Sequence, residues 1–238
     1  MTPAFTTSWD DGHPLDLRLA NLLARYRFRG TFYVPTVRSE WPLMPKEDVR
    51  ELDAMGMEIG SHTVNHAILP ELSEDEARSE LSQSRRTLED LLGKRVAAFC
   101  FPKGRFNGRT CALVREAGYA IGRTTVGFRT DRDFDPSRMP VSAQLVPHRP
   151  AIHLRHALKE ANVRGLLNWF GACGLESDLL RLCERMMRQA VRCGGVFHLW
   201  GHSWEVEQLG LWSELEEILK MAVALGFEAR TNSEVTQP

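Results

Sequence analysis

The stretch TTSWDDGH, residues 6–13, combines a strand-like run with a group of chemically reactive side chains. A short run suited to a β-strand ends in two adjacent carboxylates, Asp10 and Asp11, which are followed by a glycine and a histidine. Asp-Gly is common turn chemistry, because aspartate tolerates the backbone conformations that tight turns need. A turn alone would explain the two aspartates, so the choice between a turn and a chemical site depends on the rest of the chain.

Short β-type runs alternate with longer helical patterns, and this alternation predicts a parallel sheet. One helix start is marked by a capping box, Ser73 with Glu76, and Gly93 predicts the end of the same helix. The predicted strands are 4–9, 30–35, 57–62, 95–102, 119–125, 194–202 and 226–230, with one possible strand, 139–146, inside the irregular stretch 126–152. The predicted helices are 14–28, one from about residue 45, 73–93, 108–117, 153–164, 175–193 and 211–225.

Seven or so strands fit either a βα barrel or an open doubly wound sheet. Polar residues decide between them, because several directly follow the last apolar residue of a strand: Asp10 and Asp11, His62 and His66, the Pro102–Gly104 turn, and His202. In a barrel these positions meet at the carboxyl-terminal rim, whereas an open sheet gathers only those beside a switch point. We therefore predict an α/β barrel forming a single domain over 1–238, with an irregular loop insertion near 126–152.

The composition excludes several classes of protein. Lys+Arg number 30 against Asp+Glu 31, a formal net charge of -1, which favours neither nucleic acid nor an anionic membrane as partner. We see neither a transmembrane run nor a signal peptide, so we expect a cytoplasmic location. The five cysteines lack CxxC spacing, which fits a reducing compartment and argues against a disulfide framework or a cysteine zinc site.

A histidine pair gives the first sign of a metal. His62 and His66 in SHTVNH are four residues apart, so on one helical turn both imidazoles can face a single ion. Two exposed histidines at a helix start are the plain alternative. The HExxH pattern of metalloproteases is absent, because Thr63 stands where that mechanism needs a glutamate. A third ligand must come from elsewhere, and one of the two aspartates after the first strand can supply it.

The motifs, taken together, resemble those of the polysaccharide deacetylases, also called the NodB-homology or carbohydrate esterase 4 family. SWDDGH (8–13) is similar to the T-F-D-D-G motif and SHTVNH (61–66) to H-[ST]-x-x-H. FCFPKGRFN (99–107) resembles the third motif, an apolar strand that ends in a Pro-x-Gly turn at the groove. HLWGHSWE (198–205) resembles the last motif in its H-P-W-E variant. The motifs occur in the family's order and span most of the chain.

The resemblance implies a role for each matching residue. Asp10 would be the general base, Asp11 with His62 and His66 the metal site, and His202 the general acid that protonates the leaving amine. The ion is usually zinc (Zn2+), with Co2+, Ni2+ or Mn2+ as alternatives. Six more residues would lie at or beside the substrate: Trp9, Pro102, Lys103, Leu199, Trp200 and Trp204. The family fold is a distorted, incompletely closed (β/α) barrel, which agrees with the barrel of about seven strands predicted above.

The sequence departs from the family pattern in places. Trp9 replaces the usual phenylalanine, Lys103 stands where an aromatic residue is common, and Arg105 follows the turn instead of preceding it. The motif in which an aspartate and a tryptophan support the catalytic histidine has no clear match, and Asp131, Asp133 and Asp135 all stay open as partners of His202. We interpret His198, four residues before His202, as a buried core histidine, because it lies too deep in the strand to reach the rim.

These observations predict a metal-dependent hydrolase that removes an N-acetyl group from an amino sugar. A cytoplasmic location favours an intermediate of glycan biosynthesis, linked to a nucleotide or a lipid. A related barrel hydrolase acting on a non-sugar amide C–N bond and a non-catalytic sugar-binding barrel are the alternatives. The basic stretch 148–164 can contact a phosphate or an anionic lipid, although a solvated helix face explains it as well. The sequence does not indicate an oligomeric state.

Overall fold

Parallel strands form a single curled sheet at the centre of the molecule. The computed structural model describes residues 2–149, 151–152 and 162–236. Its strands are β1 (Ala4–Trp9), β2 (Thr31–Val34), β3 (Glu58–Ser61), β4 (Ala98–Cys100), β5 (Ile121–Arg123), β6 (Ala143–Gln144), β7 (Val196–Gly201) and β8 (Glu228–Ala229). The order is β5-β4-β3-β2-β1-β7-β6, with β8 paired to β1, and every pairing is parallel.

The sheet curls into a barrel that stays open on one side. β5 and β6 are the two ends of the strand order, and a single parallel bridge, Arg123 to Met139, joins β5 to the segment before β6. Because all strands run the same way, their carboxyl ends meet at one rim, where a parallel barrel places its active-site loops. The incompletely closed (β/α) barrel expected from the sequence is confirmed.

Helices cover the outer face of the sheet. They are α1 (Asp16–Arg25), α2 (Lys46–Ala54), α3 (Glu74–Leu92), α4 (Gly108–Glu116), α5 (Val163–Gly171), α6 (Leu179–Cys193), α7 (Ser203–Leu209) and α8 (Trp212–Ala224). The predicted capping box at the start of α3 is present, since Ser73 and Glu76 satisfy each other's backbone N–H groups. Gly93 ends α3 in the left-handed conformation, at φ 67°.

Two apolar cores follow from the alternation of side chains along the strands. Phe5, Trp9 and Leu199 face outward and pack against the helices. Ala4, Tyr33 and their neighbours face inward and form a smaller core inside the barrel. The interior is closed at its lower end by the turn Thr231–Val235, where the Asn232 backbone N–H donates to Thr31 Oγ1 and its side-chain amide meets His198 Nε2 at 3.2 Å.

Some elements differ from the sequence predictions. α5 and α7 were not predicted, and the predicted helix 153–164 lies almost wholly outside the described residues. The stretch 126–152 is irregular where it is described, as expected, apart from a 3₁₀ turn at Pro136–Arg138 and the two residues of β6. Within the described part of the chain, no helix is both long and apolar enough to cross a bilayer.

Candidate active site

The turn after β1 sends its two aspartates to different positions. Asp10 continues the ladder, since its N–H donates to the Gly201 carbonyl at 3.1 Å, whereas Asp11 adopts a left-handed backbone at φ 78°. Gly12 follows at φ 58°, and a Cβ there would approach Val34 Cγ1 to 3.0 Å, so this turn needs a glycine. Asp10 and Asp11 therefore cannot share one role, although they are neighbours in sequence.

Strained backbone is concentrated around this rim. Seven described non-glycine residues have positive φ: Asp11, Arg27, Thr63, His66, Lys103, Phe128 and Leu175. Four of them, Asp11, His66, Lys103 and Phe128, line the cavity above the barrel. Such conformations cost on the order of 1–3 kcal/mol each and persist where the surrounding structure enforces them, typically at functional sites.

Asp11, His62 and His66 present three metal-binding atoms to one point. Asp11 Oδ1 lies 3.4 Å from His66 Nε2 and 3.8 Å from His62 Nε2. Ligands about 2.0–2.1 Å from a tetrahedral zinc ion are separated by roughly 3.4 Å, so the set fits such an ion with little adjustment. A fourth position is left for solvent or substrate, as in catalytic zinc sites.

Hydrogen bonds from neighbouring groups orient the side chains of His62 and Asp11. His62 Nδ1 bonds the Cys100 carbonyl at 2.9 Å, which leaves Nε2 for a metal. Trp204 Nε1 donates to Asp11 Oδ2 at 3.0 Å and leaves Oδ1 facing the histidines. Burial lowers the pKa of His62 to about 4, despite the opposing effect of Asp10, so its imidazole is neutral and able to bind a metal at neutral pH.

A second group of possible ligands shares His62. Asp10, His62 and Cys100 also bring their ligand atoms within 4.8 Å of one another. This set suits a cation less well, because a buried guanidinium pairs with Asp10 and burial raises the pKa of the Cys100 thiol well above its usual value. The Asp11 set therefore fits a divalent ion better.

Asp10 is held ionised by Arg123, a residue that the sequence analysis missed. Arg123 ends β5 with no exposed surface, and its Nη2 donates to Asp10 Oδ1. Burial alone would raise the pKa of Asp10, but opposing effects, of which the charge of Arg123 is the largest, outweigh burial and lower that pKa. The Arg123 Cζ also lies 4.9 Å from the centre of the Trp200 ring. An arginine at the end of the apolar strand YAIGR was the available signal.

His202 lies across from Asp10 and pairs with a carboxylate of its own segment. Its Nδ1 bonds Glu205 Oε2 at 3.0 Å, and its Nε2 lies 3.9 Å from Asp11 Oδ2. Burial disfavours the imidazolium, but the hydrogen bond to Glu205 and the charges of Asp10 and Asp11 outweigh burial and raise the pKa of His202. The spacing H-S-W-E was the sequence signal for this pair. The three aspartates considered as partners bond arginines instead, Asp131 with Arg129, Asp133 with Arg164 and Asp135 with Arg115.

His198 has a structural environment inside the barrel. It is 1% exposed, its Nδ1 bonds the Pro140 carbonyl at 3.1 Å, and its Nε2 meets Ser8 Oγ at 2.8 Å. Burial, reinforced by the charge of Arg123, lowers its pKa to about 3, so the ring stays neutral. The buried core position predicted for His198 is what the structure shows.

A cavity of about 680 Å³ opens above these groups. Trp41 stacks on Trp204 with ring centres 4.0 Å apart, and Lys103 Nζ donates to Oε1 of the neighbouring Glu40 at 2.5 Å. Lys103, Trp200 and Trp204, expected at the substrate, line the cavity. The other three do not: Trp9 and Leu199 are fully buried on the outer face of the sheet, and Pro102 is buried beneath the turn. Period-two alternation explains the first two, since Asp10, Trp200 and His202 occupy the inner face.

Comparison with known proteins places the chain in a family. The family model described as "Polysaccharide deacetylase" matches residues 3–122, half of the chain. YxkH of Bacillus subtilis, named for the polysaccharide deacetylases, is 25% identical over 54% of this chain and 44% of its own length. Chitin deacetylase 1 of Cryptococcus neoformans is 28% identical over 52% of this chain and 28% of its own length. The match therefore spans less than half of either curated relative.

A solved structure extends the likeness to the whole chain at the level of the fold. The chitin deacetylase of the fungal pathogen Colletotrichum lindemuthianum superposes with a TM-score of 0.65 at 16% identity, covering 100% of this chain and 89% of that one. The family match covers β1 to β4 and the start of β5, and it includes Asp10, Asp11, His62 and His66. This chain belongs to the polysaccharide deacetylase family.

Proposed function

We propose that the chain is a metal-dependent hydrolase that removes an N-acetyl group from an amino sugar. One observation carries the proposal: next to a two-histidine, one-carboxylate set, Arg123 lowers the pKa of Asp10, and the hydrogen bond to Glu205 raises the pKa of His202. Titratable groups whose pKa values are pushed apart in this way suit general base and general acid roles.

Asp11, His62 and His66 would hold the metal. A divalent ion there supplies Lewis-acid polarisation of the amide carbonyl and makes water a better nucleophile at neutral pH. Two imidazole nitrogens and one carboxylate oxygen suit zinc, and they also accept Co2+, Ni2+ or Mn2+. We propose zinc as the ion because three protein ligands and a fourth open position are typical of catalytic zinc sites.

The chain's own residues would move the protons. Asp10 accepts a proton from the attacking water as the water oxygen bonds to the acetyl carbon. His202 donates its proton to the amide nitrogen as the C–N bond breaks, so the nitrogen leaves as a neutral amine and the acyl group leaves as acetate. Arg123 keeps Asp10 ionised until the attack, and Glu205 orients His202 and favours its charged form.

The cavity walls suit a sugar. Trp41, Trp200 and Trp204 line the cavity together with the proposed metal ligands, and aromatic side chains can pack against the apolar faces of sugar rings. We extend the proposal to a sugar linked to a nucleotide or lipid carrier, because two guanidinium groups, Arg105 and Arg138, line the same cavity and can bond a phosphate.

A product screen tests the function. Zinc-loaded protein is incubated with a panel of N-acetylated amino sugars, free and phosphate-linked, and with non-sugar amides, while acetate, formate and ammonia are measured. We expect acetate and free amine from at least one sugar, and none from the same protein after chelation. Formate or ammonia from a non-sugar amide would favour the related hydrolase, and sugar binding without release would favour a non-catalytic barrel.

A further inference from the structure

A buried hydrogen bond joins the two loops that carry the proposed base and acid. Asp16 begins α1 and Ser203 begins α7, and neither residue has exposed surface. Ser203 Oγ donates to Asp16 Oδ1 at 2.5 Å, although the residues are 187 positions apart in the chain. Asp16 follows the Asp10–Asp11 turn and Ser203 directly follows His202, so this bond connects the two halves of the site.

The Ser203–Asp16 bond lies just beyond the last backbone hydrogen bond between β1 and β7. β1 and β7 pair in register from Ala4 with Val196 to Trp9 with Gly201, and the last rung is the bond from the Asp10 N–H to the Gly201 carbonyl. Beyond that rung the backbones separate into α1 and α7. Beyond this point, side-chain contacts between the two loops fix the position of His202 relative to Asp10. The hydrogen bond between Ser203 and Asp16 is one of these contacts, and it is fully buried.

The Asp16–Ser203 pair stabilises the fold less than an apolar pair would, because it buries a polar group that is not fully hydrogen-bonded. Asp16 Oδ2 is buried and has no hydrogen-bond partner among the described residues. Burial, together with the nearby negative charges of Asp10 and Asp11, raises the pKa of Asp16 well above its usual value despite the bond from Ser203. An apolar pair of similar volume would satisfy packing without leaving a buried oxygen unpaired.

We propose that Asp16 and Ser203 form a positioning pair that fixes His202 against the amide nitrogen of the substrate. The inference rests on the proposed function only for the role of His202. A displacement of a reacting group by about 1 Å can cost on the order of 100-fold in rate, so a short buried tether one residue from the acid has a direct kinetic consequence.

Comparing an amide with an ester substrate distinguishes a misplaced His202 from a general loss of active-site structure. An amide needs His202 because an unprotonated amine is a poor leaving group, whereas the p-nitrophenolate of p-nitrophenyl acetate leaves without a proton. For Ser203→Ala we expect kcat on the N-acetyl sugar to fall about 10- to 100-fold, with KM and the ester rate changed by no more than about twofold. Loss of amide and ester turnover together, or of neither, would overturn the proposal.

Variants of Asp16 and a matched control complete the kinetic test. Asp16→Asn keeps an acceptor oxygen for Ser203 and should stay within about threefold of wild type, whereas Asp16→Leu should behave like Ser203→Ala. Ser137→Ala is the control, since Ser137 is also buried and donates to an aspartate, Asp135 Oδ1 at 2.8 Å. If Asp16→Leu does not fold, Ser203→Ala carries the test, because it deletes one oxygen atom.

A structural readout keeps the inference separate from the proposed function. Crystal structures of wild type and Ser203→Ala should differ in the His202 ring by about 1 Å or more, whatever the substrate proves to be. An unmoved His202 would overturn the positioning role even if the enzyme is a deacetylase. A wild-type protein that releases no acetate from any N-acetyl sugar refutes the proposed function, and the His202 displacement then still decides the role of the pair.

Discussion

Replacing Arg123 by methionine removes the cation that keeps Asp10 ionised and preserves much of the side-chain volume. The Arg123 side chain has no exposed surface and that of Asp10 is 7% exposed, so solvent cannot replace the lost partner. Removing one member of a buried ion pair costs about 3–5 kcal/mol of unfolding free energy. We expect a loss in this range at neutral pH, reduced to the extent that Asp10 takes up a proton.

The pH dependence of this loss has a defined sign. In the wild type the pKa of Asp10 is lowered, so the pair's stabilisation is present at neutral pH and is lost as pH falls through that pKa. Without Arg123, burial raises the pKa of Asp10, so the folded variant binds a proton more readily than the unfolded chain does. The stability deficit of Arg123→Met should therefore be largest at neutral pH and shrink as the solution becomes acidic.

Urea unfolding of the metal-free proteins from acidic to neutral pH measures this deficit, since bound metal would add its own stabilisation. Arg86→Met is the control, because Arg86 is exposed on α3 and, among the described residues, hydrogen-bonds only its helix neighbour Ser82. The double variant Asp10→Asn with Arg123→Met should regain stability at neutral pH relative to Arg123→Met alone. A deficit that does not vary with pH, or one no larger than that of Arg86→Met, would refute the reasoning.

Three further predictions concern individual site residues. The double variant His62→Ala with His66→Ala should lose stoichiometric zinc in metal analysis. Asp10→Asn should retain zinc, because Asp10 is not assigned as a ligand. Retained zinc in the double variant would rule out the site. Glu205→Gln should move the alkaline limb of the pH–rate profile to lower pH, because Glu205 raises the pKa of His202, and an unmoved limb would remove Glu205 from the acid's environment. His202→Ala should lose about 10²- to 10⁴-fold in kcat. His198→Ala should instead cost roughly 0.5–3 kcal/mol of unfolding free energy and keep kcat in the folded fraction. The reverse pattern would exchange the two assignments.

The fold could be predicted from the sequence because the strongest signals for it are local. The alternation of strands and helices, the capping box at Ser73 and the stop at Gly93 depend on neighbouring residues, and the structure has all of them. The helix Val163–Gly171 was missed because it contains two glycines, Gly165 and Gly171, and glycine is a poor helix former.

The candidate site was predictable where its residues stand at strand ends. The spacing of His62 and His66 predicted a helical turn, but the two residues lie in a non-helical loop, with His66 at φ 54°. Asp10, Asp11, His62, His66 and His202 all follow strand ends, and the structure brings them to one rim. Arg123 is 113 residues from Asp10, and the curl of the sheet, not a local pattern, brings the two together. The family resemblance implied that Trp9 and Leu199 lie at or beside the substrate. Adjacent residues in a strand face opposite sides of the sheet, however, and these two face the helices.

The most direct test of the central claim measures products and bound metal in the same samples. Zinc-loaded wild type and Asp10→Asn are each analysed for zinc content, acetate and free amino sugar with a substrate taken from the screen. We expect acetate and amine in equal amounts from the wild type, and almost none from Asp10→Asn although it holds as much zinc. Turnover by Asp10→Asn at the wild-type rate with full zinc occupancy would contradict the assignment of Asp10 as the base on which the proposed hydrolysis depends.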